Sequence, residues 1–147
     1  MEITVKTFEE LKKEELYELL QLRAEVFVVE QRCAYQDLDG KDEKALHVLG
    51  KKGETIVAYS RIFKPGDYFP EANIGRVVVM PGERKYGYGR ELMKASIEVV
   101  EQRFNESTVH LSAQTYLKNF YNSLGFKQVG EEYSEDGIPH IGMLRTE

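Results

Sequence analysis

A short stretch of glycine and basic residues, RKYGYG at positions 84–89, has the composition expected of a ligand-binding loop. It follows the apolar segment 74–80 and precedes a segment whose apolar residues recur with helical spacing. The first amides of a helix lack intrahelical partners and carry partial positive charge, so such a helix start favours an anion, above all phosphate. Glycine lets the ligand approach the backbone, and Arg84 and Arg90 add donors for bidentate contacts.

Two better-known phosphate loops do not fit these residues. A Walker loop requires Gly-Lys-Ser/Thr, whereas Gly89 is followed by Arg90 and Glu91. A dinucleotide fingerprint requires a third glycine, and that position is Leu92. On these residues alone, a glycine-containing turn that binds nothing stays open as the alternative.

The elements that must position this loop follow from apolar periodicity and turn residues. The order β-α-β-β-β-α-β-α-β-β predicts some parallel pairing across the helices and antiparallel hairpins at both ends of a mixed sheet. Residues 31–44 are polar and acidic and predict a long loop, which in a compact domain is often functional. The predicted strands are residues 3–7, 45–50, 55–63, 74–80, 108–113, 127–133 and 141–145, and the predicted helices are residues 12–30, 88–104 and 116–124.

Size and composition restrict the class of protein. The 147 residues predict a single domain, 1–147, with a net charge of −5. Basic runs are at most two residues long, which does not favour binding to nucleic acid. Neither a membrane span nor a signal peptide is predicted, so we expect a cytoplasmic protein. Cys33 is the only cysteine, so an intrachain disulfide is excluded and the thiol is expected to be inert.

Two blocks of the sequence resemble the GNAT acetyltransferase family. The pattern Arg84-x-x-Gly87-x-Gly89, after the strand RVVV, resembles the coenzyme A signature of that family, Gln/Arg-x-x-Gly-x-Gly/Ala. The segment NFYNSLGF at 119–126 is similar to the run that often ends the last GNAT helix. The spacing of the blocks and the order of elements also fit, so the resemblance covers nearly the whole chain.

Three further segments resemble the ElaA-like branch of this family. They are LR with VFVVEQ within 22–31, YQDLDG at 35–40 and DGIPHIGM at 136–143. One position departs from many GNAT loops, which have glycine directly after the arginine, where this chain has Lys85. We therefore expect an ordinary backbone conformation at Lys85, with its side chain near phosphate or in solvent.

The resemblance implies an α/β GNAT fold, with helices flanking a mixed, mostly antiparallel sheet whose central parallel strand pair splays apart. It also implies acetyl-CoA as co-substrate, no metal, and direct transfer of the acetyl group to a primary amine in a ternary complex. A coenzyme-binding sensor or partner protein without turnover is the alternative. The residues implied for coenzyme binding are Val77, Val78, Val79, Arg84, Lys85, Tyr86, Gly87, Tyr88, Gly89, Arg90, Gln114, Asn119 and Tyr121.

The acceptor is open on this evidence: a small-molecule amine, a protein lysine and an N-terminal amine all fit. Similar proteins are often dimers, so a homodimer is an open expectation. For the leaving thiolate, the resemblance implies Tyr121 as the acid, because a phenol with a pKa near 10 is protonated at pH 7. The alternative for Tyr121 is a core aromatic beside Phe120. For the oxyanion it implies the backbone amides of residues 77–79.

Two residues are candidates for the base that accepts the amine proton. Glu30 shares the apolar stripe of the first helix and reaches the substrate, or forms a structural network with Arg23. His140 follows Pro139 in a predicted loop, and its ordinary pKa near 6.5 suits a base. His47 and His110 lie in predicted strands and are expected to be structural.

Asp37, Asp39 and Asp42 form an acidic cluster in the predicted loop. A calcium loop is excluded because Asp42 occupies the position that requires glycine and Val48 occupies the position that requires glutamate. We expect Asp37 and Asp39 to contact a cationic amine, with a solvated acidic loop as the alternative.

Overall fold

The computed structural model describes residues 1–146, which form a seven-stranded sheet flanked by helices. The three helices are α1 Lys13–Arg23, α2 Tyr88–Phe104 and α3 Lys118–Asn122, with 3₁₀ turns at Asp42–Lys44, Arg84–Tyr86 and Thr115–Leu117. None of the helices in residues 1–146 is long and apolar enough to cross a membrane. The strands are β1 Glu2–Thr7, β2 Leu46–Lys52, β3 Thr55–Phe63, β4 Ala72–Val79, β5 Val109–Gln114, β6 Lys127–Glu135 and β7 Ile138–Arg145.

The sheet order is β1-β2-β3-β4-β5-β7-β6, and within the described chain every neighbouring pair is antiparallel except β4 and β5. The predicted mixed, mostly antiparallel sheet is confirmed. Because side chains alternate along a strand, Tyr59 on β3 packs with α1 on one face, while Ala58 and Ile62 pack with α2 on the other.

The parallel pair β4–β5 separates soon after it begins. Over the residues described, the two strands pair at Ala72 with Val109 and at Asn73 with His110. The side chain of Asn73 stabilises the paired end of the two strands. Its amide Nδ2 lies 3.0 Å from the carbonyl oxygen of His110 and 3.1 Å from the ring Nδ1 of His110. Beyond these pairs the strands diverge, as predicted for the splayed pair.

Where β4 leaves β5, its backbone is irregular. The register of β3 and β4 shifts between Tyr59 and Arg61, and Arg76 has a φ of 49°. A residue with a side chain costs about 1 kcal/mol in this left-handed region. Contacts of the Arg76 guanidinium offset that cost, because its Nε lies 2.7 Å from a carboxylate oxygen of Asp37 and its carbon 5.6 Å from the ring centre of Tyr35.

The first helix differs from the prediction of one α-helix to Glu30. The α-helix ends at Arg23, and the segment Ala24–Glu30 continues it as a π-helix. The wider turn is evident in the bonds from the amide of Gln31 to the carbonyl of Val26 and from Cys33 to Val28, both 3.1 Å long. The segment contains three β-branched valines, which crowd an α-helical turn.

Six charged residues form what we call the charge cluster, which ties the loop 31–44 to the sheet. Arg23 is fully buried, and its guanidinium lies 2.9 Å from Asp37 and 2.7 Å from Asp42. Arg61 binds Asp39 at 2.8 Å. Burial raises the pKa of Asp39, but the hydrogen bonds and charge of Arg61 outweigh it and bring that pKa down to about 2. The cluster holds three charges of each sign, on Arg23, Arg61, Arg76, Asp37, Asp39 and Asp42.

Two sequence-based hypotheses about buried polar residues are resolved by these contacts. The suggested network between Arg23 and Glu30 is wrong, because Arg23 is satisfied by the aspartates of the loop. His47 lies in β2 and His110 in β5, as predicted. Both ring nitrogens of His47 are engaged, by the Tyr59 hydroxyl at 2.6 Å and by a backbone carbonyl at 2.9 Å, and burial lowers the pKa of its ring.

Replacing Arg23 by methionine tests whether the charge cluster stabilises the fold. Arg23→Met keeps the length of the side chain but leaves the buried Asp37 carboxylate without a partner on that side, so it should lower the free energy of unfolding by about 3–5 kcal/mol. The measurement is urea denaturation followed by circular dichroism. Arg103→Met, at an exposed site in the last turn of α2, is the control and should change stability by about 0.5 kcal/mol or less. Equal losses in the two variants would contradict a structural role for the cluster.

Candidate active site

A cleft of about 690 Å³ occupies the gap that opens between β4 and β5. One wall is the valine segment of β4, and the opposite wall comes from the residues around α3. The π-helical segment and the start of α2 complete it. Its lining residues are Val26, Phe27, Glu30, Gln31, Val77, Val78, Val79, Arg84, Gly87, Gly89, Arg90, Gln114, Tyr116, Leu117, Phe120 and Tyr121.

The glycine loop at the mouth of this cleft is built as an anion cradle. Gly87 has a φ of 74° and caps α2, whose first helical bond runs from the Glu91 amide to the Gly87 carbonyl. The amides of the first turn therefore have no partner within the helix. A Cβ at Gly87 would meet no atom of residues 1–146 within 4 Å, so the glycine serves the backbone angle and not a lack of space. Lys85 has an ordinary φ, as predicted.

Arg84 is held in the cleft by an acidic partner. Its guanidinium forms a bidentate pair with Glu30, with N–O distances of 3.0 and 2.5 Å, and its Nε donates to the Val79 carbonyl at 3.1 Å. Both charged side chains are more than one-third exposed, so the pair adds little stability. An anion bound in the cradle can therefore compete with Glu30 for Arg84.

The edge of β4 that faces the cleft carries free backbone groups. The Met80 amide bonds the Val57 carbonyl of β3 at 2.8 Å. Because the bonding direction alternates along an antiparallel strand, the amide of Val79 points the other way, into the cleft. The Val79 carbonyl on the same edge already accepts from Arg84. This edge is able to pair with an extended ligand.

Tyr121 lies on α3 at the inner end of the cleft. Its ring is 5% exposed and makes edge contacts with Phe120 and Phe126, with ring centres 5.0 and 6.0 Å away. Within residues 1–146 its hydroxyl has no hydrogen-bond partner. Burial raises the pKa of Tyr121, so the phenol stays protonated at neutral pH and is available as a donor.

A second, smaller cavity of about 120 Å³ adjoins the cleft. Six residues line both spaces: Phe27, Gln31, Val77, Gln114, Leu117 and Tyr121. The two spaces therefore meet along these six residues, and Tyr121 is one of them. The smaller cavity is lined in addition by Cys33, Tyr35, Ile74, Arg76, Leu111, Ser112, Ala113, Glu135, Ile138 and His140.

His140 lies in the wall of this smaller cavity, but in strand β7 and not in the predicted loop. The loop prediction is wrong because the strands are joined by a tight two-residue turn: Asp136 and Gly137 both have positive φ, the type I′ geometry that lets two strands pair at once. His140 consequently pairs with Gln114 of β5 and Tyr133 of β6. Its ring is 8% exposed.

Several predicted site residues lie elsewhere. Asn119 is exposed, and in the described chain it lines neither space. In residues 1–146, Lys85, Tyr86 and Tyr88 do not line the cleft. The Tyr86 and Tyr88 rings contact each other at a tilt of 39°, with ring centres 5.4 Å apart, and the Lys85 ammonium lies 5.4 Å from the Tyr86 ring centre.

The acidic residues of the loop also have other partners. Asp37 and Asp39 belong to the charge cluster and are neutralised by arginines, which is a correction to their expected role as amine contacts. Glu30 lines the larger cleft and, in the described residues, not the smaller cavity.

Arg90 and Gln114 do lie where the sequence predicts coenzyme contacts. Arg90 lines the cleft and donates to the Ser123 hydroxyl at 2.7 Å, and its guanidinium lies 5.8 Å from the Phe120 ring centre. Gln114 lines both spaces.

Most of the smaller cavity has no direct signal in the sequence. Gln31, Cys33 and Tyr35 come from a segment without periodicity, and Arg76 from an irregular strand. Glu135 is different, because it flanks a recognisable Asp-Gly turn. The register of that hairpin alone would have placed Glu135 near His140.

Comparison with known proteins gives a consistent result. The profile of the family described as an acetyltransferase (GNAT) domain matches residues 7–146. Protein ElaA of Escherichia coli is 49% identical over 138 residues, 92% of this chain and 90% of that protein. Its crystal structure superposes with a TM-score of 0.92, over 98% of each chain and with 46% identity in that alignment. An acyl-CoA N-acyltransferase from Pseudomonas aeruginosa superposes with a TM-score of 0.93, 41% identity and 99% coverage of each chain.

The pair between Glu30 and Arg84 predicts how the cradle responds to charge. Glu30→Gln removes the carboxylate that occupies Arg84, so inorganic pyrophosphate should bind about twofold to fivefold more tightly, in line with the small energy of a half-exposed pair. Isothermal titration calorimetry measures this. Glu25→Gln, an exposed acid of the same π-helical segment, is the control and should change affinity less. Unchanged or weaker binding in Glu30→Gln would show that Glu30 does not compete with the anion.

Proposed function

This chain belongs to the GNAT acetyltransferase family, in its ElaA-like branch, and from that premise we propose that it transfers an acetyl group from acetyl-CoA to a primary amine by direct attack in a ternary complex. The observation that carries the proposal is the junction of the two spaces at Tyr121. A thioester entering from the cleft and an amine entering from the smaller cavity meet beside a buried, protonated phenol.

The donor side of the proposal rests on how well the cleft fits an acyl-CoA. The amides at the start of α2, with Arg84 and Arg90, offer a pyrophosphate both partial positive charge and bidentate donors. The free edge of β4 offers the amide-bearing pantetheine arm a strand to pair with, as when a peptide adds to a sheet edge. Among the backbone amides of residues 77–79, the segment expected to face the thioester oxygen, Val77 is the residue that lines both spaces, and one good donor there is worth about 3 kcal/mol.

The chemistry follows from these positions. The acceptor enters as an ammonium ion and gives one proton to His140, which leaves the nitrogen with a lone pair. That pair attacks the thioester carbon, a C–N bond forms, and the carbon–sulfur bond breaks with its electrons on sulfur. A second proton from the nitrogen ends on the thiolate by way of the Tyr121 hydroxyl. The products are an amide, the free thiol of coenzyme A and one proton.

A coenzyme-binding sensor without turnover is the competing function. It would need the anion cradle and the edge of β4 but neither the buried phenol nor the adjoining cavity. Release of thiol from acetyl-CoA, measured against a panel of primary amines, separates the two. Tight coenzyme binding without thiol release for any amine would favour the sensor.

Removing the Tyr121 hydroxyl tests its role as the acid. Tyr121→Phe should lower the turnover number by about a hundredfold, the usual contribution of a positioned proton donor. Acetyl-CoA affinity, measured by calorimetry, should change little because the ring remains. Tyr17→Phe, at a 74% exposed position of α1, is the control. Turnover equal to that of the control would remove Tyr121 from the acid role.

Adding a carboxylate at the cradle tests where the phosphates bind. Gly87→Glu should abolish coenzyme A binding, because it puts a negative charge at the start of α2. Gly53→Glu is a matched control: Gly53 has a φ of 64° against 74° for Gly87, and in residues 1–146 a Cβ at either position meets no atom within 4 Å. The two variants share the backbone strain and differ in location. Retained affinity in Gly87→Glu would mean that the phosphates lie elsewhere.

A further inference from the structure

One face of the hairpin β6–β7 carries a matched set of polar residues. Glu135 pairs with Ile138 and Tyr133 with His140 in the strand register. Cross-strand partners share a face, and so do residues two apart, so all four side chains lie on the same side of the hairpin. Glu135, Ile138 and His140 line the smaller cavity, and the Tyr133 ring stacks on the His140 imidazole at 6.1 Å.

The orientation of the His140 ring fixes its proton. Nδ1 lies 2.8 Å from the Ile138 carbonyl oxygen, which only accepts, so Nδ1 carries the hydrogen. In the neutral imidazole Nε2 then has a lone pair. Nε2 lies 3.5 Å from a carboxylate oxygen of Glu135, which is another acceptor. With Nε2 unprotonated, neither Nε2 nor the Glu135 carboxylate can donate a hydrogen bond to the other. A ligand group with two N–H hydrogens can donate to both.

We propose that Glu135 and His140 together receive the ammonium group of the acceptor, and that the acceptor class is a primary amine at the end of an unbranched alkyl chain. This inference rests on the proposed acetyl transfer and assigns its acceptor side. Glu135 is a positioning residue that attracts and orients the cation, and His140 accepts its proton.

The charges around the smaller cavity favour a cation. Arg76 is the other residue charged at neutral pH in its lining, and its guanidinium is offset by Asp37 at 2.7 Å and Asp39 at 3.3 Å. Within residues 1–146, no lysine or arginine forms an ion pair with Glu135, whose ion-pair contact is with His140. The half-exposed carboxylate lies where an entering ammonium ion meets it before the buried imidazole.

The size of the smaller cavity restricts the chain that carries the amine. A volume of about 120 Å³ holds roughly four water-sized groups, enough for a nitrogen and a short run of methylenes. Ile74, Leu111 and Ala113 supply apolar wall for those methylenes. Tyr121 and His140 both line this cavity, so a carbon branch next to the nitrogen would need additional space beside them. We therefore expect the tip of a linear aminoalkyl chain to be preferred over an α-branched amine.

The proton that the ammonium group loses at this site has a defined acceptor in the proposed reaction. One N–H hydrogen of the ammonium ion moves to Nε2 of His140, which becomes an imidazolium beside the Glu135 carboxylate and later releases the proton to solvent. Glu135 stabilises that imidazolium as an opposite charge at close range. Glu135 and Tyr133 from β6 contact the His140 ring, and Gln114 of β5 is its strand partner. The other titratable residues that line the same cavity are Arg76, Cys33, Tyr35 and Tyr121.

Steady-state acetylation with two isomeric amines tests the proposal. n-Propylamine and isopropylamine have equal charge and composition and differ in branching at the carbon next to nitrogen. The wild type should acetylate n-propylamine with a kcat/KM at least about tenfold higher. Glu135→Gln should raise the KM for n-propylamine about tenfold without changing the affinity for acetyl-CoA. His140→Gln should lower kcat about a hundredfold, with little change in the affinity for acetyl-CoA.

Glu131→Gln, an exposed acid of β6 that within residues 1–146 lines neither space, is the control for charge. Equal kcat/KM for the two amines, or equal KM changes in Glu131→Gln and Glu135→Gln, would overturn the proposal.

A binding readout keeps the proposal separate from turnover. n-Propylammonium is titrated into the protein with coenzyme A bound, and the His140 ring resonance, assigned by its absence in His140→Gln, is followed by NMR. A saturable shift that is lost in Glu135→Gln supports the ammonium site, and no shift overturns it. Wild-type protein that shows this shift but releases no thiol with any amine would mean that the transfer reaction fails while the ammonium site stands.

Discussion

The divergence of β4 from β5 after two residue pairs is the constraint on which the rest of the site depends. Had the parallel pairing continued past Asn73, the amide edge of Val79 would be consumed within the sheet. Both the cleft and the smaller cavity would then be closed. A sheet does not normally leave such groups unpaired, because each buried one costs free energy comparable to a lost hydrogen bond. The open edge of β4 is therefore where an extended ligand can pair with the sheet.

The charge cluster keeps that opening in place. Arg76, at the irregular point of β4, is fixed by Asp37 and Asp39 from the loop 31–44, and Asp37 also binds the buried Arg23 at the end of α1. Three separate elements are thus joined at the fork of the sheet by ion pairs. Such pairs are strongly destabilising to break singly, so the loop cannot leave the fork at small cost. Arg76 is part of the wall of the smaller cavity, so these ion pairs also hold that part of the wall in place.

Much of the fold and the donor side could be predicted from sequence, because both rest on local signals. Strands with period-two patterns, the Asp-Gly turn and the glycine loop each depend on a few neighbouring residues. Ion-pair partners were not predictable in this way. The sequence suggested Arg23 as the partner of Glu30, whereas in the structure Glu30 binds Arg84, which is 54 residues further along the chain. The sequence-based assignment of His140 to a loop was wrong because the turn has only two residues, Asp136 and Gly137. Strand pairing therefore resumes earlier than the composition of the segment indicates. The smaller cavity combines residues from four strands, the π-helical segment, the loop 31–44, a 3₁₀ turn and α3, and no single stretch of sequence carries its signal.

The π-helical segment Ala24–Glu30 has a consequence for how this site can change in evolution. A wide turn of this kind holds one more residue than an α-helical turn of the same span, so its character depends on the length of the segment. Deleting one residue there would restore α-helical bonding and rotate everything that follows by about 100° about the axis. Phe27, Glu30 and Gln31 would then leave the cleft together, although each amino acid is retained. Substitutions in this segment adjust the wall of the cleft one side chain at a time, whereas a change in length replaces the wall in a single event.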